Sequence, residues 1–261
     1  MVGEQIMSSY PTPYSEVNAI LDLLGAQARA ILGDSFVGLY LYGSLASGDF
    51  DPQHSDVDFV VVTTTELPAD TIAALEAMHL QLAASGLQLA AKLEGAYVSL
   101  AALRRHDPNG SLFPTLNEGR FYLAGLDSDW IIQRQVIREH PVVVGGPDPR
   151  LLIDPVSVDD LRGAVKDILR EWWAPMLDNP DWLRRTGYLD FAILTMCRVL
   201  YLFEYGTIVS KPVAARWAKE ADRAWADLIE WALARPADSH YERLPEVQAF
   251  IRFTVEKGEM L

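Results

Sequence analysis

Cysteine is almost absent from this 261-residue chain: the one copy, Cys197, has no internal partner for a disulfide and lies in an apolar helical run, where it reads as a packed core residue. Long hydrophobic runs are missing too. No stretch approaches the length of a membrane span, and the opening MVGEQIMSSYPTPYSE has neither a basic start nor an apolar signal core. The expectation is a cytoplasmic protein, a monomer, with no membrane partner. Positive charge is scarce, with 22 Lys and Arg against 36 Asp and Glu and a net charge of −14. A surface that holds a long polyanion is hard to assemble from that balance, so nucleic acid is disfavoured as a partner and a small polycation fits better. Internal repeats are lacking, and the five histidines form no ligand-spaced cluster.

What is present is enough apolar material for two modest cores, since half of the residues are hydrophobic. Ser15 to Leu32 carries apolar residues at helical spacing. Phe36 to Tyr42 and Val57 to Val62 read as buried strands, Pro68 to Ser85 as a helix closed by Gly86, and Leu87 to Leu100 as one or two strands. This order predicts a small mixed sheet flanked by helices. Gly145-Gly146-Pro147-Asp148-Pro149, followed by Asp154-Pro155, breaks the chain. Beyond it, Val158 to Trp173, Asp190 to Tyr205, Pro212 to Ala234 and Leu244 to Lys257 have the pattern of a helical bundle. The fold class expected is α+β, with residues 1–155 forming a sheet domain and residues 156–261 a helical domain.

The chemistry concentrates around Gly43-Ser44 and Ser55-Asp56-Val57-Asp58. Side chains alternate along a strand, so Asp56 and Asp58 project to one face while Val57 and Phe59 take the other. Two like charges opening an apolar strand are costly without a cation, and hard oxygen donors of this kind suit Mg²⁺. Gly43 permits close backbone approach to phosphates, and Ser44 and Ser55 add hydroxyls. The combination points to nucleotidyl transfer from a metal-bound triphosphate. Glu94, in KLEGAYVSL, is a candidate general base for the acceptor hydroxyl, with a surface hairpin carboxylate as the bland alternative. Lys92, Glu118 and His54 are weaker candidates. In the helical half, Arg198 interrupts an apolar helix and calls for an anion, either a phosphate or a carboxylate elsewhere in the bundle. Lys211, beside Pro212 at a helix start, is disfavoured by the helix dipole unless an anion is bound.

These residues resemble a known family. LYGSLASGDFDPQHSDVDFVVV is similar to the Gly-Ser…Asp-x-Asp signature of the polymerase-beta-type nucleotidyltransferases, and its details resemble the aminoglycoside 3″/9-adenylyltransferases. IREHPVVVGGPDPRLLIDPVSVDDL and LTMCRVLYLFEYGTIVSKPVAARWA resemble that family's exit from its catalytic domain and its C-terminal helical signature. The resemblance implies AMP transfer from ATP to a hydroxyl of a cationic aminoglycoside or aminocyclitol such as streptomycin or spectinomycin. It further implies two Mg²⁺ ions on Asp56 and Asp58, Glu94 as base, and Gly43, Ser44, Ser55, Arg198 and Lys211 on the nucleotide, with Tyr241 near adenine or ribose. The acceptor would lie between the domains, with Trp173, Asp181, Trp182 and Asp190 as contacts and Trp172 nearby. Two departures bear on streptomycin: APMLDNPDW is longer than the family's loop, and Tyr188, not Asp190, falls where a second drug-binding acid is expected. On residues alone, a transferase acting on a protein or another metabolite, or a nucleotide-binding regulator without turnover, stays open.

Overall fold

The computed structural model describes residues 10–107, 109–234 and 241–261. They divide into two compact units, Met1–Pro155 and Val156–Leu261. Among the described residues no helix is long and apolar enough to cross a membrane.

The first unit is a six-stranded mixed sheet with helices packed on it. Its elements are α1 (Ser15–Leu32), β1 (Phe36–Leu41), α2 (Gly43–Ser47), β2 (Val57–Thr63), α3 (Ala69–Ala83), β3 (Leu93–Ser99), α4 (Leu100–Arg104), β4 (Phe113–Asn117), β5 (Arg120–Ala124), α5 (Asp129–Glu139) and β6 (Val142–Gly145). The strand order is β5-β4-β3-β2-β1-β6. Only β2 and β3 run parallel, because α3 carries the chain back across the sheet between them; the other four pairings are antiparallel. Val57, Phe59 and Val61 of β2, Leu39 and Leu41 of β1 and Tyr97 of β3 meet Val17, Ile20, Leu21 and Leu24 of α1 and Leu75, Met78 and Leu82 of α3 in one core. Apolar residues on α1 recur at three- and four-residue spacing, so a single stripe buries against the sheet.

Sequence pattern and structure differ at four places in this unit. Leu87 to Leu100 yields a single strand, β3, preceded by a 3₁₀ turn at Ala90–Lys92. The hairpin β4–β5 and the edge strand β6 carry too little apolar alternation to be read from sequence, with exposed residues on both faces of β5. Helix α5 was hidden behind the polar LDSDW, yet its Arg134 is buried and donates to the carbonyls of Leu103 (2.7 Å) and Arg104 (2.6 Å), anchoring α5 to the end of α4.

The second unit is helical: α6 (Val158–Ile168), α7 (Pro175–Asp178), α8 (Tyr188–Tyr205), α9 (Lys211–Ala221), α10 (Ala226–Leu233) and α11 (Leu244–Glu259). A capping box starts α6, with the Ser157 hydroxyl and the Asp160 carboxylate satisfying each other's backbone N–H groups. Helix α8 is the centre of this unit, buried along Leu189, Ala192, Ile193, Met196 and Cys197, and ends at Gly206 in the left-handed region. Cys197 is fully buried, and burial pushes its thiol up to about 12, so it is a core residue and not a nucleophile.

Two expected helices are broken. Pro175 cannot donate to the carbonyl four residues back, so the helix running on from α6 opens into a π turn at Leu169–Trp173, with the Ala174 N–H reaching Leu169 O at 2.8 Å. Asp222 divides Pro212 to Ala234: its side chain accepts from the Ala224 N–H at 3.0 Å and starts a new turn, separating α9 from α10.

Candidate active site

Strand register assembles the acidic part of the site. Asp58 on β2 and Glu94 on β3 are direct partners in the parallel ladder, side by side on neighbouring strands. Asp56 lies two residues before Asp58, just ahead of the strand. The polypeptide that turns from β1 into α2 passes directly beneath Asp58. A Cβ on Gly43 would fall 1.9 Å from Asp58 Oδ2, and Gly43 adopts φ +60°. Only glycine satisfies both conditions.

Behind that glycine, the Ser44 hydroxyl is buried and has no hydrogen-bond partner among the described residues. A buried hydroxyl without a partner costs about 1–3 kcal/mol, so this group is set for something the folded chain does not itself supply. Ser55 is otherwise engaged: its Oγ accepts from the Asp51 N–H at 3.0 Å and its own N–H donates to Asp51 O at 2.8 Å. The imidazole of His54 meets Asp51 Oδ2 at 2.8 Å through Nδ1. Lys92 Nζ donates to Gln53 O at 2.7 Å and to Pro52 O at 3.3 Å, so this lysine holds the loop before Asp56.

The electrostatics mark Glu94. Burial first, then the charge of Asp56, then that of Glu118, push its carboxyl up to about 7, against a lowering by the Glu118 N–H that donates to Oε1 at 3.1 Å. Glu118 itself has φ +47°, a conformation few non-glycine residues adopt, at the tip of the β4–β5 hairpin. Tyr42, at the end of β1, is buried, and its phenol is raised by that burial and then by the charges of Asp58, Asp129 and Glu94.

Asp129 therefore belongs to the same acidic neighbourhood, a member sequence reasoning did not find. The signal was present as a second Asp-x-Asp, Asp127-Ser128-Asp129, immediately before a helix. The residue as a whole is exposed, yet its carboxyl is crowded enough that burial, followed by Asp127, raises it to about 6. Trp130 alongside packs its ring 6.1 Å from that of Tyr42.

No group of three or more His, Cys, Asp or Glu converges as a closed metal cage among the described residues. Asp56 and Asp58, two residues apart, instead offer an open pair of hard oxygen donors. Such a set fits Mg²⁺, which commonly takes one or two carboxylates and completes its shell with water and phosphate oxygens.

The helical unit places its predicted residues differently. Arg198 is half-buried in the middle of α8, and Lys211 opens α9 with its Nζ 4.2 Å over the Phe191 ring. Trp173 is only 2% exposed and stacks on Phe191 at 5.9 Å. It is a core residue in this conformation. The π turn is the reason, since it sends Trp173 inward while Trp172 stays 45% exposed. Trp182 is 41% exposed, Asp181 is exposed and Asp190 half-buried. The hydroxyl of Tyr241 donates to Arg184 O at 2.6 Å.

Comparison with known proteins agrees with this division. Residues 28–98 match the nucleotidyltransferase domain model, and residues 151–257 match the aminoglycoside adenylyltransferase C-terminal domain model. An aminoglycoside (3″)(9) adenylyltransferase of Escherichia coli is 30% identical, over 98% of this chain and 97% of that protein. A spectinomycin 9-adenylyltransferase of Staphylococcus aureus is 27% identical over 73% of each chain. The crystal structure of a spectinomycin adenyltransferase from Enterococcus faecalis, with ATP and spectinomycin, superposes with a TM-score of 0.73 at 18% identity, covering 92% of this chain and 98% of that one. The fold is thus shared, and the chain belongs to the aminoglycoside (3″)(9) adenylyltransferase family.

Proposed function

We propose that this protein transfers AMP from ATP to a hydroxyl of a cationic aminocyclitol or aminoglycoside, releasing pyrophosphate and conferring resistance to the drug. The observation that carries the chemistry is the pairing of Asp58 with Glu94 in adjacent strands, above a glycine that nothing larger can replace. Family membership carries the choice of acceptor, and the net charge of −14 favours a cationic one.

In this reading Asp56 and Asp58 would hold Mg²⁺, and Ser44 would meet a phosphate oxygen through its buried hydroxyl. Bound Mg²⁺ supplies charge neutralisation on the triphosphate and a lowered acceptor pKa. Glu94 takes the proton of the acceptor hydroxyl as that oxygen forms its bond to the α-phosphorus and the bond to the departing pyrophosphate breaks. A carboxyl raised to about 7 is suited to such a base. Ser55 contributes through the loop that presents Asp56, and Gly43 through the space it leaves. On the helical unit we assign Arg198 and Lys211 to the triphosphate charge, Tyr241 to the nucleoside, and Trp182, Asp181 and Asp190 to the acceptor, with Trp173 as the ring behind Phe191.

The test is incubation of the purified protein with Mg-ATP and a panel of spectinomycin, streptomycin, other aminoglycosides and no acceptor, read by mass spectrometry. An adenylyl group gained by a panel member only in complete reactions is the expected result. ATP turnover without any adenylylated drug would overturn the acceptor assignment.

A further inference from the structure

An aromatic cluster of the helical unit runs through the exposed Trp172 and Trp182 to the half-buried Tyr188, with ring centroids 5.6 and 5.7 Å apart. It is not bare. Arg185 lies across it, its guanidinium carbon 4.5 Å from the Trp182 ring centre and 4.9 Å from that of Tyr188, with Nη1 donating to the Tyr188 hydroxyl at 3.4 Å. A cation held over two aromatic faces is the arrangement by which proteins recognise ammonium and guanidinium ligands.

Local geometry explains why the three residues meet. Trp182–Arg184 is a 3₁₀ turn, the Arg185 N–H bonds Trp182 O at 3.1 Å, and the Tyr188 N–H bonds Arg185 O at 3.1 Å. Residues three apart on such tight turns stack on one side. Gly187, at φ +78°, then turns the chain into α8. Arg185 itself is exposed, so the ring faces that it covers lie at the protein surface.

We propose that Trp182 and Tyr188 form a cation site for an ammonium or guanidinium group of the acceptor, and that Arg185 is its built-in competitor. This rests on the reading that the acceptor is a small polycation. Arg185 then acts as a specificity determinant: a group enters only if it binds the rings better than the tethered guanidinium does, which discriminates against weakly cationic acceptors.

The experiment is a tryptophan-fluorescence titration of the full chain with tetramethylammonium, without ATP, in wild type, Arg185→Ala, Arg185→Lys and the double variant Arg185→Ala/Trp182→Leu. Loss of a competing cation–π contact should lower the dissociation constant about fivefold in Arg185→Ala. Arg185→Lys should stay near wild type, and the double variant should lose the response. Equal constants in wild type and Arg185→Ala, or a response that survives removal of Trp182, would overturn the proposal. In turnover assays with spectinomycin, KM for the drug should fall by a similar factor in Arg185→Ala while KM for ATP stays. If no drug is adenylylated by any form, the acceptor reading fails and the titration still decides the cation site; if drugs are adenylylated but the titrations coincide, the reverse holds.

Discussion

The sheet unit carries Asp58 and Glu94 on neighbouring strands, whereas the helical unit carries Trp172, Trp182, Arg185 and Tyr188 at turns and at the start of a helix. That difference sets how tightly each group is placed. Asp58 and Glu94 are locked by the β2–β3 register, and a one-residue slip of either strand would turn its carboxylate to the opposite face and part the pair. Trp172, Trp182, Arg185 and Tyr188 answer only to short turns around Pro175 and Gly187. A reaction common to many acceptors needs the first kind of support, and a changing set of acceptors is served by the second.

The comparison breaks most visibly at Asp58. Asp58→Asn keeps the shape but removes a charge from the proposed metal site, and loss of several kcal/mol of transition-state stabilisation corresponds to a fall in kcat of at least about a thousandfold. The melting temperature should not fall. Turnover within tenfold of wild type would remove Asp58 from the metal site. Glu94→Gln should cost about 10²- to 10⁴-fold in kcat, with ATP affinity preserved.

Glu94→Gln also has a signature independent of turnover. The Glu94 carboxyl titrates near 7 in the fold against an ordinary value of 4.5, so the folded chain holds the proton more tightly. Stability from this group is full below about pH 4.5 and declines as pH rises through 7. In metal-free protein the variant should therefore melt near wild type at pH 4.5 and progressively above it as pH rises to 8, which thermal melts across that range will show. A constant difference would mean that Glu94 is not held in the raised state.

Gly43→Ala probes the same support through the backbone. Its methyl group would meet Asp58 Oδ2 and its φ of +60° disfavours any side chain, so Asp58 must move. We expect kcat to fall about a hundredfold, in line with the sensitivity of reactions to displacements near 1 Å. Unimpaired turnover would show that the contact is not needed.

The same contrast explains what was legible in the sequence. Helix α1 and strands β1 and β2 follow from apolar spacing, because their buried faces are continuous. The acids of the sheet unit were visible because Asp56 and Asp58 sit at the opening of such a strand. Asp129 was missed because its neighbourhood depends on α5 being docked by Arg134, a long-range contact with no local pattern. In the helical unit Trp172 and Trp173 are adjacent and chemically identical, and periodicity alone does not say which one a π turn exposes. The break at Asp222 is likewise a competition between a side-chain cap and helix continuation that propensity does not resolve.

The smallest predicted effect on turnover separates those two tryptophans. Trp173 stacks on Phe191 in the core, so Trp173→Ala leaves a cavity costing about 3–5 kcal/mol and should lower the melting temperature. Trp182 is 41% exposed, and Trp182→Ala should leave the melt nearly unchanged while raising the acceptor KM about fivefold, the size of one cation–π contact. The two variants, compared by calorimetry and by acceptor kinetics, should fall on different axes. If Trp173→Ala instead kept its stability and lost acceptor binding, the tryptophan facing the drug would be the one that this conformation buries, and the π turn at Leu169–Trp173 would have to rearrange when the acceptor binds.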